Sequence, residues 1–478
     1  MNKPNIVLII ADQHRGDALG VAGHDVLLTP NMNSLARRGI RYTNAYTECP
    51  VCIPARHTML TGMAPDKTGC VGWSDRQRIA KSELTLPSLL KANGYQTAMI
   101  GRDIHQYPKY ERYGFDVLMG FEQERANIYS TYRDHFYETT IGEHHLETTG
   151  LSLNGLTVKN WKGDEKYHTT NFTVNKAIEF LENRDYSNPF FMYVGFLAPH
   201  PPFLPLKDYY DYYANRECEG PVIGEWVDKL EDMGGVSEMS GAIQDGLSEE
   251  MRLARAAYYA MIQHMDEQLN LLLRRLEYED NTYIIYTADH GEMLGDHHRF
   301  RKSQPYEGVT HIPFFLIGPG MKGPIVQDEP IGLQDILPTV CELTGTDIPN
   351  QVTGKSLLRL AKGESWREFI HGEHAPMHEA KGKDGERLLH AGFHYLTDGK
   401  MKYIWFTDGK EQLFNLVDDP FERVNLTEQD HFTVELNIWR ERLIKTLLNR
   451  PEGFTDGTSL IPNRPYNHYM PHAVVDNI

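Results

Sequence analysis

The chain has 478 residues, of which 40% are hydrophobic and 24% charged, a composition typical of one large folded domain with a smaller companion. Its net charge of −18 at pH 7 excludes a broad electrostatic surface for nucleic acid. An acidic chain binds an anionic substrate through a local positive centre such as a bound cation. If the substrate is an anion, we therefore expect a metal site in this chain.

Membrane segments and disulfides contribute little to this chain. No segment approaches the roughly 20 apolar residues that a membrane helix requires, and no small-residue cleavage site follows the apolar run at residues 5–11. We therefore expect no membrane partner and a cytoplasmic location, or a periplasmic or secreted one if a signal peptide was removed. Five cysteines are too few, and odd in number, for a disulfide framework.

Strands and helices alternate through the first three quarters of the chain. Continuous apolar runs predict strands that are buried on both faces, and proline near the start with glycine past the end marks several helices. The predicted strands lie at 5–11, 96–100, 190–194 and 283–287. The predicted helices lie between Thr29 and Gly39, between Thr85 and Gly94, and at 249–276. This alternation predicts an α/β fold with a large, mostly parallel sheet flanked by helices.

The pattern changes after residue 365. Short strands at 366–370, 393–397 and 402–406, joined by Asp-Gly turns, precede a helix at 434–448. They predict a smaller α+β subdomain with an antiparallel sheet. We therefore divide the chain into an α/β domain, residues 1–365, and a C-terminal subdomain, residues 366–478, which ends in an extended tail.

Two stretches, 125–170 and 205–248, are polar and weakly periodic. They predict long surface insertions, where substrate selectivity often resides.

Polar pairs follow two of the predicted strands, Asp12-Gln13 after the first and Asp289-His290 after the strand at 283–287. Ligands of open α/β sheets bind beyond the carboxyl ends of the strands, so the two pairs can meet around one cation. Two carboxylates, an amide oxygen and an imidazole suit a divalent metal, and oxygen-rich sites favour calcium or magnesium. Each acid could instead cap the following helix, but the similar placement of the two pairs favours a metal site.

The segment CPVCIPAR at residues 49–56 is the most unusual in the chain. A CxxC pair can be redox-active or half of a zinc site, but no second CxxC follows and the thioredoxin context is missing. The alternative centres on Cys52. A helix that starts here would place Cys52 at its positive end beside Arg56, an arrangement that stabilises an anion or lowers the pKa of a thiol.

The run Cys52-Ile53-Pro54-Ala55-Arg56, followed by Leu60-Thr61-Gly62, resembles the C-x-P-S/A-R…LTG signature of the type I sulfatases, in the alkaline phosphatase superfamily. Further matches follow in chain order: ADQ at 11–13, APHPP at 198–202 and ADHGEMLGDHH at 288–298. The resemblance spans residues 5 to about 430. It implies an alkaline-phosphatase-like fold and an enzyme that hydrolyses a sulfate ester, which we expect to be a carbohydrate sulfate, to an alcohol and inorganic sulfate.

The resemblance also implies a metal and a modified residue. Asp12, Gln13, Asp289 and His290 match the ligands of one divalent metal, usually calcium. The family more often has asparagine in place of His290, which leaves manganese or zinc open. Cys52 matches the cysteine that a maturation enzyme oxidises to formylglycine (3-oxoalanine), which also faces the metal.

Other matches imply roles in handling the sulfate and its protons. Arg56 would hold the formylglycine, and His200 and Lys302 would contact the sulfate and the leaving oxygen. The family motif G-K-x-H matches residues 101–105 (GRDIH) only with one extra residue, so His105 is the expected counterpart of its histidine. One hydroxyl of the hydrated aldehyde would attack sulfur, and the other would lose a proton, with His105 as the expected base, to expel sulfate.

Two rival functions follow from the same residues. A phosphonate monoester or phosphodiester hydrolase of the superfamily shares these motifs and is the alternative enzyme. A catalytically inactive metal-binding protein is disfavoured because Cys52, Arg56, His200 and Lys302 are all present. The expected partners are a small-molecule or oligosaccharide sulfate ester and the maturation enzyme, and a homo-oligomer stays open.

Overall fold

The computed structural model describes residues 3–73, 77–79, 84–108, 111–120, 151, 155–227, 240–242, 247–376, 380–381, 387–388, 391–470, 472 and 474–475. The strands are β1 (Asn5–Ala11), β2 (Ile40–Tyr42), β3 (Ala45–Tyr46), β4 (Gln77–Arg78), β5 (Gln96–Gly101), β6 (Val117–Gly120), β7 (Phe190–Phe196), β8 (Ser240–Ala242), β9 (Thr282–Ala288), β10 (Arg299–Arg301), β11 (Phe314–Ile317), β12 (Ile325–Gln327), β13 (Ile331–Gly332), β14 (Ile370–His374), β15 (Ala380–Lys381), β16 (Arg387–Leu388), β17 (Phe393–Thr397), β18 (Met401–Phe406), β19 (Glu411–Asn415) and β20 (Val474–Val475).

The helices are α1 (Pro30–Arg38), α2 (Cys52–Thr61), α3 (Pro65–Thr68), α4 (Leu86–Ala92), α5 (Thr169–Asn183), α6 (Lys207–Ala214), α7 (Glu249–Leu276), α8 (Glu307–Thr310), α9 (Ile336–Thr344), α10 (Leu357–Ala361) and α11 (Thr433–Leu447). Within the part of the chain that the structure describes, no helix combines the length and the apolar character needed to span a membrane.

The main sheet has eight strands in the order β12-β2-β11-β9-β1-β7-β5-β6. Seven of them run parallel and β11 runs against its two neighbours, which confirms the predicted mixed, mostly parallel α/β fold. β1 lies in the interior of the sheet because its side chains are apolar on both faces. Val7 and Ile9 enter the core that contains α7, whereas Leu8 and Ile10 enter the core on the opposite face.

The sheet order brings four loops together at one edge. β9, β1, β7 and β5 are consecutive and parallel, so the segments after them leave the sheet at the same end. These segments begin with Asp289-His290, Asp12-Gln13, Leu197–His200 and Arg102–His105, respectively. The carboxyl edge of the sheet therefore gathers most of the residues that the sequence singled out.

The predicted antiparallel sheet of the C-terminal subdomain is present, in the order β14-β17-β18-β19, and α11 buries Trp439 against it. The predicted first strand at 366–370 is wrong: the strand starts at Ile370, where pairing with Thr397 begins. Residues before it contact the larger domain instead, because Arg367 forms an ion pair with the buried carboxylate of Asp335. The boundary at 365/366 stays a prediction.

The predicted insertion at 205–248 is not only a surface loop, since residues 207–214 form α6 against the long helix α7. Tyr209 and Tyr213 lie four residues apart, on one face of α6, and their hydroxyls donate hydrogen bonds to Glu267 and Gln263 of α7 at 2.6 and 2.8 Å. In the insertion predicted at 125–170, residues 125–150 and 152–154 lie outside the described residues, and α5 begins at Thr169.

Candidate active site

Four buried side chains converge at the carboxyl edge of the sheet. Asp12 follows β1, Asp289 and His290 follow β9, and Cys52 is the first residue of α2. One carboxylate oxygen from each aspartate, one imidazole nitrogen and the cysteine sulfur all lie within 4.8 Å of one another. The two polar pairs that the sequence placed at strand ends thus meet, and they meet beside the cysteine of the CPVCIPAR segment.

The Cys52 sulfur lies in the middle of this group. Its Sγ is 3.2 Å from Nε2 of His290, 2.9 Å from Nζ of Lys302 and 3.9 Å from Oδ1 of Asp12. Burial and the nearby Asp12 carboxylate raise the pKa of the thiol to about 11, outweighing the opposite effect of Lys302. The expectation of a lowered thiol pKa at the helix end is therefore wrong, and the unmodified thiol is not an activated nucleophile at neutral pH.

Arg56, one turn further along α2, points at the carboxylates rather than at the sulfur. Its Nε and Nη2 donate to Oδ2 of Asp289 at 3.0 and 2.9 Å, and Nη2 also donates to Oδ2 of Asp12 at 2.9 Å. Burial alone would raise the pKa of Asp12, but the neighbouring basic groups, chiefly His200, Arg56, Arg102 and Lys302, hold it well below its usual value. The Asp12 carboxylate is therefore kept ionised, as a cation requires.

The hydrogen bonds around His290 and Gln13 orient both side chains as metal ligands. Nδ1 of His290 lies 2.9 Å from the Gly291 carbonyl, so it carries the proton and leaves the Nε2 lone pair directed at the group. The Gln13 amide nitrogen donates to Glu292, so its Oε1 faces inward, 3.4 Å from Lys302 Nζ. The amide oxygen, the imidazole nitrogen and the carboxylate oxygens thus direct free lone pairs toward the same point. Such a donor set fits a divalent cation.

Glu292 and Tyr258 hold Gln13 in place, and the sequence did not identify either. The Glu292 carboxylate is fully buried and accepts from Gln13 through one oxygen and from the backbone N–H groups of Leu294 and Arg301 through the other. The Tyr258 hydroxyl donates to the Gln13 carbonyl at 2.7 Å. Glu292 lies inside the ADHGEMLGDHH segment that matches the family, and this match could have identified it from the sequence. Tyr258 lies on α7, outside the matched motifs, so no sequence pattern pointed to it.

His200 and Lys302 form a pair next to Cys52. Lys302 Nζ is 3.1 Å from Nε2 of His200, and the other ring nitrogen of His200 donates to the Pro201 carbonyl. Burial and the Lys302 charge lower the pKa of His200 well below its usual value. The imidazole is therefore neutral, with its Nε2 directed at Lys302 Nζ.

His105 is connected to Asp12 through Arg102, which contacts both side chains. Arg102 Nε donates to Oδ2 of Asp12 at 2.9 Å, and its Nη2 lies 3.1 Å from Nε2 of His105. The His105 backbone is held in the left-handed region, with φ 53°, by the bond of its N–H to the Asp103 carboxylate at 2.9 Å. Arg102 therefore adds a positive charge beside Asp12, next to Arg56 and Lys302.

Comparison with known proteins gives consistent results. A family model described as Sulfatase matches residues 4–346. The chain is 37% identical to an arylsulfatase of Clostridium perfringens over 97% of this chain and 98% of that protein, and 30% identical to a choline-sulfatase of Rhizobium meliloti over 91% and 84%. It is also similar to two solved structures at 23% identity. One is the phosphonate monoester hydrolase of Agrobacterium radiobacter, with a TM-score of 0.74 over 93% of this chain and 95% of that one. The other was solved with its substrate D-glucosamine-2-N,6-O-disulfate, with a TM-score of 0.73 over 93% and 98%.

Proposed function

Because the chain belongs to the sulfatase family and hydrolyses sulfate esters, we propose that the reaction takes place at Cys52. The observation that carries this assignment is the convergence of its sulfur with Asp12, Asp289 and His290 and with Lys302. Sulfatases in general use a metal and a formylglycine residue, and this group offers a site for both. The phosphonate alternative gains no specific support, since a likeness at 23% identity shows the fold alone.

The proposed metal ligands are Asp12, Gln13, Asp289 and His290, with the modified Cys52 facing the same cation. We propose calcium, because three of the four protein side chains offer oxygen, while the His290 nitrogen also suits manganese or zinc. When bound, the cation supplies the positive charge that neutralises a sulfate oxygen and the developing negative charge of the transition state. Elemental analysis of purified enzyme identifies the ion. The assignment is tested by removing the metal with a chelator and then measuring which of calcium, manganese and zinc restores activity.

We propose that the nucleophile is a hydroxyl of the hydrated aldehyde that modification of Cys52 produces. The buried, unmodified thiol does not supply such a nucleophile. Lys302 stabilises the charge of the sulfate, because its ammonium group adjoins Cys52 without a carboxylate within hydrogen-bond distance among the contacts that the structure describes. Lys302 and His200 lie 3.1 Å apart next to Cys52, and we expect this pair to protonate the leaving oxygen. Arg56 holds both aspartates in place through its ion pairs.

The substrate that we propose is a sulfated carbohydrate. The proposal follows the expectation drawn from the family resemblance, since the neighbour that binds D-glucosamine-2-N,6-O-disulfate as its substrate shares only 23% identity and the curated relatives are named for aryl and choline sulfates. The test is a comparison of kcat/KM on hexose and hexosamine sulfates, 4-nitrophenyl sulfate, choline sulfate and a phosphonate monoester. Faster turnover of the phosphonate than of every sulfate ester would contradict the proposal.

The modification itself has a direct test. The peptide that contains Cys52, isolated from a host with a maturation enzyme, should be about 18 Da lighter than the unmodified peptide, the change from a thiol to an aldehyde. The Cys52→Ala variant is the control, since it cannot be modified and should be inactive. Full activity of enzyme whose Cys52 is unmodified would refute the nucleophile assignment.

A further inference from the structure

The segment that leads to Lys302 and ends just after it has a strained backbone. Among the residues that the structure describes, twelve non-glycine residues have a φ in the left-handed region, and five of them lie between positions 294 and 303. These five are Leu294, His297, His298, Arg301 and Ser303. Residues with a Cβ disfavour this region and adopt it where their surroundings fix it, and such residues concentrate at functional sites. The strain therefore points to a task for this segment.

The strained residues belong to a closed loop that runs from the end of β9 to Lys302. The Met293 N–H donates to the Arg301 carbonyl at 2.9 Å, which joins the two arms of the loop. Arg15, four residues beyond the end of β1, clamps the first arm, since its Nη1 donates to the carbonyls of Glu292 and Met293 at 2.9 and 3.2 Å. The first arm is therefore fixed, and the place of Lys302 depends on how the second arm ends.

Ser303 connects the backbone of Lys302 to the segment that carries Cys52. The Ser303 N–H donates to the Pro50 carbonyl at 2.9 Å, two residues before Cys52 in the chain. The φ of Ser303 is 61°, and its hydroxyl has no hydrogen-bond partner within the described ranges. The strained backbone is therefore held by the bond to Pro50 and not by the side chain.

Arg301 is anchored in a similar way on the other side of Lys302. Its φ is 72°, and its N–H donates to the Glu292 carboxylate, which also accepts from Gln13. Between these two anchored neighbours, the Lys302 side chain places its Nζ 2.9 Å from Sγ of Cys52. A lysine side chain is flexible, so its ammonium group keeps this place only if the backbone that carries it is fixed.

We propose that Ser303 is a positioning residue that acts through Lys302. Its left-handed backbone and its bond to Pro50 set the distance between the Lys302 ammonium group and the reaction centre at Cys52. A charge that is fixed in advance stabilises the transition state without reorganisation during the reaction, which gives a physical reason for the strain. This proposal rests on the proposed roles of Cys52 and Lys302 in sulfate ester hydrolysis.

The experiment changes the backbone preference at position 303 in matured full-length enzyme. Ser303→Val introduces a β-branched side chain, which strongly disfavours a positive φ, whereas Ser303→Gly favours it. The valine variant should lower kcat/KM for 4-nitrophenyl sulfate roughly 10- to 100-fold, the scale of a small misplacement of a reacting group. The glycine variant should keep the wild-type rate, because it loses only a hydroxyl that has no partner among the described residues.

A double-variant cycle with Lys302→Ala separates positioning from a general structural role. If Ser303 acts through Lys302, Ser303→Val should cause no further loss of kcat/KM once the ammonium group is absent. A substitution that only damages the fold would lower the rate by the same factor in both backgrounds.

Asn463→Val is the matched control for the cost of the backbone. Asn463 has a φ of 58° and its N–H donates to the Thr407 carbonyl at 2.7 Å, but it is exposed and lies in the C-terminal tail. The control should lower the thermal midpoint, as Ser303→Val does, and leave kcat/KM unchanged.

Titration of inorganic sulfate into calcium-loaded enzyme gives a second readout that does not depend on turnover. Sulfate should bind more weakly to Ser303→Val than to the wild type, and equally well to Ser303→Gly. Wild-type rate and sulfate affinity in Ser303→Val would overturn the proposal, as would an equal loss in Ser303→Gly or an undiminished loss in the Lys302→Ala background. If matured wild-type enzyme binds sulfate in this pattern but hydrolyses no sulfate ester, it is the proposed function that fails.

Discussion

The role of Glu292 gives a sharp prediction, because each of its oxygens has a different task. Oε1 accepts from the backbone N–H groups of Leu294 and Arg301, and Oε2 accepts from Nε2 of Gln13. In Glu292→Gln only one oxygen remains. If it keeps the two backbone donors, the new amide nitrogen faces the amide nitrogen of Gln13, and two donors oppose each other. Gln13 must then turn its amide over and present N–H groups to the cation.

The expected consequence is the loss of one oxygen ligand. Replacing a residue that orients a metal ligand typically weakens metal binding or activity 10- to 100-fold, or about 1.4 to 2.8 kcal/mol at 1.4 kcal/mol per factor of ten. The assay is a calcium titration of metal-free enzyme, with the sulfatase rate measured alongside. Glu368→Gln is the matched control, since the Glu368 side chain is 77% exposed and contacts no proposed ligand.

The double variant Gln13→Glu with Glu292→Gln should recover most of the affinity. A glutamate at position 13 accepts from the new amide with one oxygen and offers the other to the cation. Wild-type calcium affinity in Glu292→Gln, or no recovery in the double variant, would refute this account of the Gln13 orientation.

Three further predictions concern the metal, the leaving group and acid stability. Asp289→Ala should abolish activity and metal content in elemental analysis, because it removes a charged ligand; retention of both would contradict the assignment. His200→Ala should cost more on a sugar sulfate than on 4-nitrophenyl sulfate, whose leaving group needs little protonation, within the roughly 10²- to 10⁴-fold range of general acid catalysis; equal losses would restrict His200 to positioning. Burial lowers the pKa of His168 to about 4, against the opposing hydrogen bond to Leu204. The unfolded chain, with histidine near 6.5, then binds more protons, so this residue lowers the free energy of unfolding as the pH falls from about 6.5 through 4. His168→Asn, which can keep the bond to the Thr170 N–H, should flatten that loss in urea titrations; identical slopes would show that His168 makes no contribution.

Local signals in the sequence determined the central elements of the fold. A run of seven apolar or neutral residues is a strand buried on both faces whatever surrounds it, and β1 has the predicted bounds. Proline and glycine set the ends of α1 and α4, since their backbone preferences act within a few residues. The first strand of the C-terminal sheet was misplaced because the bond between Arg367 and Asp335 joins residues far apart in the chain.

In the candidate site, too, some features followed from the sequence and others only from the tertiary structure. Motif spacing identified Asp12, Cys52 and Asp289, because each stands at the end of a strand or the start of a helix, where local pattern fixes position. Only the tertiary structure decided that Arg56 points at the carboxylates and that the Cys52 thiol has a raised pKa. Burial and charge depend on every element packed around a group, and the strand order that brings four loops to one edge is set by contacts between distant parts of the chain.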